Sequence, residues 1–244
     1  MTPDTKLVTI ALIIPALDEM INLKRMLPLV NQQLNQNNII ESRVFVVVGI
    51  DSSSSDYEEI VRLGAIPIIR KPSNSFGDAM RSGFESALQQ NPKYIIVMDA
   101  DGSHNPKTIP KLLTKIEESW ATVVVASRYV EGGGTANSLI LRIMSRVLNK
   151  VYAIVLGINA QDISNNFKIY RAEALRNIQL KCSNFDIVEE ILLEIKKKHG
   201  SDFVIEEIPD YFQERVSGKS KRNLFLFMIS YGLTLVRLRA RSIK

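Results

Sequence analysis

The segment Asp99-Ala100-Asp101-Gly102-Ser103-His104-Asn105-Pro106 concentrates more potential chemistry than any other in the chain. It follows an apolar run, Tyr94-Ile95-Ile96-Val97-Met98, which reads as a buried strand. The two carboxylates therefore emerge at a strand's C-terminal end, where open α/β sheets bind their ligands. Beyond that end the two side chains can diverge, one toward a metal and one toward a ribose. Hard carboxylate oxygens suit Mg²⁺ or Mn²⁺, and such ions usually gain their remaining ligands from substrate phosphates and water. A nucleoside diphosphate is the guest this chemistry implies. Taken alone, two carboxylates also fit a solvated Asp-rich turn.

The elements that must position this segment alternate in type. Val8 to Ile14 reads as a strand ending at Pro15, with Asp18 as the expected cap of a helix from Glu19 to about Leu34. Val44 to Ile50 forms a second strand that ends at Asp51 and a run of four serines. Tyr57 to Leu63 reads as helix, Ile66 to Ile69 as strand and Gly77 to Gln90 as helix. Strands separated by helical stretches imply βαβ units and an α/β fold with a doubly wound, mostly parallel sheet. Asp18, Glu19, Asp51, Ser52, Asp99 and Asp101 then all fall at strand C-termini, where one crevice could collect them. Ser73 to Asp78 precedes a helix and could aim amide N–H groups at an anion, or serve as a plain cap.

The second half carries more basic residues. Thr122 to Ala126 reads as a strand leading into Ser127-Arg128-Tyr129. Glu131-Gly132-Gly133-Gly134 is suited to a lid or to a close backbone approach. Ser138 to Leu156 reads as a helix with Leu139, Ile143, Val147, Val151 and Ile154 expected to face inward. Arg142, Arg146 and Lys150 recur every four residues on another face, which makes them either a solvated stripe or phosphate ligands. Asp162 to Arg171 reads as a turn into a strand. A helix from about Asn184 to His199 carries Glu189 and Glu190, and Glu207-Ile208-Pro209 ends a strand. Arg215 to Arg222 is a basic loop whose cations could neutralise a departing diphosphate.

Composition narrows the class further. At 244 residues and 45% hydrophobic content, the chain can bury a substantial core. One cysteine, Cys182, permits no internal disulfide, and no Cys/His cluster offers a zinc site. Met1 to Thr9 lacks the basic and apolar regions of a signal peptide, so a cytoplasmic location is expected. A net charge of +5 favours anionic partners such as nucleotides or acidic lipid surfaces. It is not the dense basic patch of a nucleic-acid binder.

With these residues in place, the chain resembles the family 2 inverting glycosyltransferases of GT-A fold, and within them the dolichyl- or polyprenyl-phosphate mannose synthases. The matching stretches are Ile14-Pro15 with Asp18-Glu19, Asp51 through Asp56, Gly77 through Gly83 and Met98 through Pro110. They continue with Ser127-Arg128-Tyr129, Asp162 with Phe167 and Tyr170-Arg171, Glu207-Ile208-Pro209, and Arg215 with Gly218, Ser220 and Lys221. The resemblance implies a GT-A catalytic domain over 1–222, and the apolar then basic run over 223–244 reads as a terminal helix, interfacial or packed on the domain. It implies that Pro15, Leu17, Glu19, Asp51 and Ser52 border the nucleoside. Asp99, Ala100 and Asp101 match the metal and ribose motif, with Ser103 beside them as a further metal ligand, and Mg²⁺ or Mn²⁺ as the cofactor. Asp101, Arg128 and Arg215 are the implied catalytic residues, and Lys221 faces the donor diphosphate; Arg128, with Arg142 and Arg146 of the basic helix stripe, supplies the candidate cations for an acceptor phosphate. The implied donor is a nucleotide sugar, GDP-mannose, and the implied acceptor is a polyprenyl phosphate. UDP-glucose, a soluble acceptor, or simple nucleotide-sugar binding are the alternatives. Four positions depart from the family pattern: Asp18 for Asn, Ser52 for a second Asp, Asn166 for Gly, and Leu141 where an acceptor Arg is usual, with Arg142 one place later.

A phosphate acceptor agrees with the residue inventory. A phosphate monoester has a second pKa near 6, is already largely anionic at neutral pH, and needs cations more than a general base. Glu190 is the candidate base for an alcohol acceptor, although an exposed helix position is the expectation for it. Between Arg222 and Arg237 no charged residue occurs. As a helix that gap spans about 21 Å, short of the ~30 Å hydrocarbon core. The tail is therefore expected to lie on the cytoplasmic membrane face as a peripheral element, or to pack on the domain.

Overall fold

The computed structural model describes residues 9–36 and 41–214. Within them β1 (Ile10–Pro15), β2 (Ser42–Val48), β3 (Ile66–Ile69) and β4 (Tyr94–Val97) are parallel strands linked by α1 (Met20–Gln36), α2 (Ser54–Arg62) and α3 (Phe76–Leu88). Then come α4 (Ile109–Glu118), β5 (Val123–Ser127), β6 (Gly134–Thr135), α5 (Leu139–Leu156), β7 (Lys168–Arg171) and α6 (Ala172–Leu175). The described chain closes with α7 (Ile187–His199), β8 (Ile205–Pro209) and β9 (Tyr211–Phe212). The main sheet has the order β3-β2-β1-β4-β7-β5-β8, and β7 alone runs antiparallel to its neighbours β4 and β5. The doubly wound, mostly parallel sheet expected from the sequence is the sheet observed.

The sequence dictates this burial. Ile10 to Ile14 is an unbroken apolar run because a central parallel strand is covered on both faces. Its alternate residues serve two cores: Ala11 and Ile13 pack with α3 and α7, while Ile10, Leu12 and Ile14 pack with α1 and α4. Parallel strands place all their C-terminal ends on one edge. β7 runs the other way, so the loop that leads into it, residues 161–167, arrives at that same edge.

Several local expectations give way to tertiary structure. Asp18 does not cap α1; it adopts a left-handed turn at φ 60, and the Leu23 N–H bonds to the Glu19 carbonyl instead. The Ser73–Asp78 loop is not an anion cradle. The Asp78 carboxylate fills it, accepting from the Ser75 hydroxyl at 2.7 Å, from the Ser73 amide and from the Ser73 hydroxyl. The glycine loop after Glu131 is a close approach and not a lid: Gly134 N–H bonds to the Asp210 carbonyl, and a Cβ on Gly133 would stand 2.5 Å from the Ser127 carbonyl oxygen. The largest reversal concerns α5, whose expected inward residues point to solvent. Ile143 is 54% exposed and Ile154 71%, while Asn149, Tyr152 and Leu156 face the core. Glu190 is fully buried, and its Oε2 accepts from the Lys181 and Cys182 amides, so it serves neither as an exposed residue nor as a solvent-facing base.

Candidate active site at the carboxyl edge of the sheet

Two neighbouring strand ends build a cleft of about 330 Å³. Leu17, Asp18 and Glu19 after β1 line one wall, and Gly49, Asp51 and Ser52 after β2 line the other, together with Asn74. Arg70 braces the floor. Arg70 is 3% exposed, and its guanidinium donates to the Ala16 carbonyl at 2.7 Å and to the Val47 and Val48 carbonyls at 3.1 Å. One buried cation thus clamps the ends of β1 and β2, and burial holds its pKa below the usual arginine value. Asn74 sets the rim by accepting from the Ile50 amide at 2.8 Å and reaching toward Asp51 at 3.4 Å. Asp56, from the same motif, is spent on a capping box with Ser53 at the start of α2. Pro15 is buried at the last position of β1 and shapes the entry to the cleft without lining it.

The Asp99–Asp101 segment stands at the end of β4, the strand beside β1. Gly102 at φ 80 turns the chain sharply after Asp101. Asp101 is 6% exposed, and its Oδ1 accepts from the Ser103 amide at 3.0 Å and the Ser103 hydroxyl at 2.5 Å. Ser103 is itself fully buried, and its amide and hydroxyl orient Asp101 from behind. Asp99 is the more open of the two, with 30% of its side chain exposed. Its Oδ1 accepts from Asn166 Nδ2 at 2.8 Å. Asp99 N–H donates to His104 Nδ1 at 3.0 Å, which makes Nε2 the protonated nitrogen. That nitrogen donates to Asn165 Oδ1 at 3.0 Å, and Asn165 Nδ2 donates in turn to the Ala126 carbonyl. His104, stacked on Phe167 at 4.9 Å, is a strut whose two nitrogens are both engaged.

A second buried network holds Arg128. Asp162 is fully buried and grips the guanidinium along one edge, accepting from Nε at 2.8 Å and Nη2 at 2.6 Å. The Arg128 amide also donates to Asp162, at 2.9 Å. Glu207 fixes the loop by accepting from the Gln161 and Asp162 amides at 2.7 and 2.9 Å. Lys168, fully buried, ties the following turn to itself through the Ile163 and Asn165 carbonyls, and burial lowers its pKa below the ordinary lysine value. The Arg128 guanidinium lies 5.1 Å from the Tyr129 ring centre and 5.4 Å from that of Phe212; Arg146 of α5 stands 5.3 Å from the same Tyr129 ring. Arg142 lies one turn earlier on α5 and is exposed.

The structure therefore brings Leu17, Glu19, Asp51 and Ser52 into one cleft and sets Asp99, Ala100 and Asp101 on the adjacent strand end. It ties Arg128 to Asp162, which partly neutralises it, and leaves Arg142 and Arg146 on α5. Arg215, Lys221 and the tail over 223–244 lie outside the described residues. Sequence reasoning missed Arg70, His104, Asn165 and Asp162 as the framework. Among the described residues no three of His, Cys, Asp and Glu gather as a metal centre. The exposed oxygens of Asp99 beside Asp101 nevertheless fit an ion that takes most of its shell from phosphate and water.

Comparison with known proteins places this arrangement. Residues 11–179 match the glycosyl transferase family 2 model. The chain is 30% identical over 160 residues to polyprenol monophosphomannose synthase of Mycolicibacterium smegmatis, covering 62% of this chain and 57% of that protein. It is 32% identical over 159 residues to undecaprenyl-phosphate mannosyltransferase of Micrococcus luteus, covering 62% of each. The match thus spans about three-fifths of these relatives. Glucosyl-3-phosphoglycerate synthase of Mycobacterium tuberculosis, solved with Mn²⁺, uridine diphosphate and glucosyl-3-phosphoglycerate, superposes with a TM-score of 0.69 at 14% identity, over 96% of this chain and 80% of that one. That likeness shows a shared GT-A fold. By the extent of the family match, the chain is a member of glycosyl transferase family 2.

Proposed function

We propose that the chain is a metal-dependent inverting glycosyltransferase that moves mannose from GDP-mannose to a polyprenyl phosphate at the cytoplasmic face of a membrane. The observation that carries this reading is the convergence at one sheet edge of the Glu19/Asp51 cleft and the Asp99–Asp101 pair, with an arginine-bearing helix close by. The names of the two mannosyl-transferring relatives support the sugar and the acceptor. The Mn²⁺ and Mg²⁺ complexes of the structural neighbour support a divalent cofactor.

In this reading the nucleoside occupies the cleft, with Asp51 at the base and Glu19 at its rim. Asp99 and Asp101 hold the ion; when bound, it supplies positive charge to the departing diphosphate. Ser103 and Asn166 fix the two carboxylates so that little reorganisation remains at the moment of reaction. The acceptor phosphate approaches beneath Arg146 and Arg142, and its oxygen attacks the sugar's anomeric carbon opposite the diphosphate. Because the nucleophile is already anionic, no general base is required, in keeping with the burial of Glu190. Gln213 N–H bonds to the Ser103 carbonyl at 2.9 Å, so the chain leaves the described residues beside the carboxylate pair. This supports Arg215 and Lys221 as partners of the diphosphate.

The test is transfer of labelled mannose from GDP-mannose to undecaprenyl phosphate by the purified full chain with Mn²⁺. Solvent-extractable label, lost on chelation and lost in Asp101→Asn, is expected, with a β-linked product. Transfer only from UDP-glucose, or only to a soluble acceptor, would overturn the donor or the acceptor assignment.

A further inference from the structure

The side-chain amide of Asn166 has two ends, and only one is spent. Its Nδ2 donates to Asp99 Oδ1 at 2.8 Å. That bond fixes the orientation, because an ionised carboxylate only accepts and the amide turned over would set oxygen against oxygen. Oδ1 is left as a buried acceptor with no hydrogen-bond partner, on a residue 5% exposed. Native folds rarely leave such an atom unmet, since burial strips it of water and nothing replaces the lost bond. Nor can the side chain seek a partner elsewhere. Two routes pin its loop to the end of β4. Asn166 holds the Asp99 carboxylate, and Asn165 accepts from His104, which in turn accepts from the Asp99 amide at 3.0 Å. Lys168 Nζ closes the same turn through the Ile163 and Asn165 carbonyls. The neighbouring cations are thus committed, Lys168 to these carbonyls and Arg128 to Asp162 and Ser164.

We propose that Asn166 Oδ1 is a third protein oxygen for the divalent ion, beside Asp99 and Asp101. The inference rests on the metal dependence proposed above. An atom that can only accept is met by a proton donor or by a cation, and three features favour the cation. An amide oxygen is a hard neutral ligand of the kind that Mg²⁺ and Mn²⁺ take. The same amide holds Asp99, so the carboxylate and the extra oxygen are positioned as one unit. The pair of carboxylates is also short of oxygen, because Oδ1 of each already accepts a hydrogen bond, from Ser103 in Asp101 and from Asn166 in Asp99. Among the described residues no third acid, histidine or cysteine gathers beside them. An amide makes up the ligand count without adding negative charge. Two carboxylates balance a divalent ion; a third would repel the diphosphate that the ion must attract.

Titration of the purified full chain with Mn²⁺ alone, read by electron paramagnetic resonance, tests the proposal without donor, acceptor or turnover. Three protein oxygens should hold the ion before any nucleotide arrives. Line broadening in ¹⁷O-enriched water counts the waters that complete its shell. Asn166 lies outside the left-handed backbone region, so Asn166→Ala keeps the local chain path. That variant should bind Mn²⁺ about tenfold or more weakly, the least that loss of a metal-site partner costs. It should also carry one more water on the bound ion, a change that a mere prop for Asp99 would not produce. The wild type gives a second reading that needs no variant. Labelled with ¹³C-asparagine, it should show an amide carbon coupled to the bound Mn²⁺ in electron–nuclear double resonance. Equal water counts in wild type and Asn166→Ala, or no coupled carbon in the wild type, would overturn the proposal. So would a wild type that binds no Mn²⁺ without nucleotide. In each of these cases, mannose transfer that is still lost on chelation would leave the proposed function standing.

Discussion

Asp162→Asn should be the most informative single substitution in the framework of the site. Asp162 is fully buried, and Arg128 keeps only 10% of its side chain exposed, so the pair is an internal ion pair. Replacing the carboxylate by an amide turns an N–H group toward the guanidinium and leaves a buried positive charge without its counter-ion. Breaking one partner of such a pair costs about 3–5 kcal/mol. For a domain of this size each kcal/mol lowers the melting temperature by about 2–4 °C, so a fall of roughly 6–20 °C is expected in a thermal melt. Removing both charges with similar volumes, Arg128→Met with Asp162→Leu, should cost less than the sum of the single changes. The same loop delivers Asn165 to His104 and Asn166 to Asp99, so metal-dependent donor hydrolysis should fall with stability in Asp162→Asn. A melting temperature within a degree or two of wild type, or strict additivity in the double variant, would refute the claim that this pair organises the loop.

Other predictions follow from the same geometry. Hydrogen bonds hold the Asp78 carboxyl at about 2 against the burial that pushes it up, with Ser73, Arg81 and Ser75 as donors. A carboxyl depressed from 3.8 in the folded state contributes stability that is complete above 3.8 and lost as pH falls toward 2, about 2 kcal/mol in all. Acid titration of a melt should show Asp78→Asn flattening that decline. His104→Phe keeps a ring against Phe167 but loses the bonds to Asp99 N–H and Asn165; each costs roughly 1–3 kcal/mol if its partner stays buried, and the affinity for Mn²⁺, read by calorimetry, should drop. Asn166→Asp sets a second carboxylate against Asp99, and like charges this close resist joint ionisation, so the acid limb of kcat/KM should move to higher pH. An unchanged limb would mean that Asn166 does not position Asp99.

The sequence disclosed the sheet because hydrophobic runs and their punctuation are local signals. Ile10 to Ile14, Val44 to Val48 and Tyr94 to Val97 are apolar for the same reason, burial on both faces, and each is followed within four residues by an acidic residue, at Asp18, Asp51 and Asp99. The cleft residues were legible as chemistry that recurs at strand ends. The residues that hold them were not. Arg70, 54 positions from Ala16, and Asn165, 61 positions from His104, do their work through contacts that no local spacing encodes. Ser73 to Asp78 illustrates the opposite failure. Hydroxyls before a helix signal both a cap and an anion site, and only the position of Asp78 decides that the loop satisfies itself.

Helix α5 shows where periodicity stops being informative. A stripe of Leu139, Ile143, Val147 and Ile154 at helical spacing establishes that one face is apolar, but the hydrophobic effect sets only that such a face prefers to leave water. It does not say whether the refuge is the protein's own core or a bilayer. The deciding residues lie on the other side of the helix. Asn149 pairs with both the amide and the hydroxyl of Ser164, and Ser164 in turn accepts from Arg128, so the polar side of α5 is committed to the loop that carries Asp162 and Asn166. Turning the helix to bury its aliphatic stripe would strip these buried groups of their partners at ~1–3 kcal/mol each. The need to brace the Asp99 and Arg128 networks therefore directs the polar face inward. The apolar face is left at the surface.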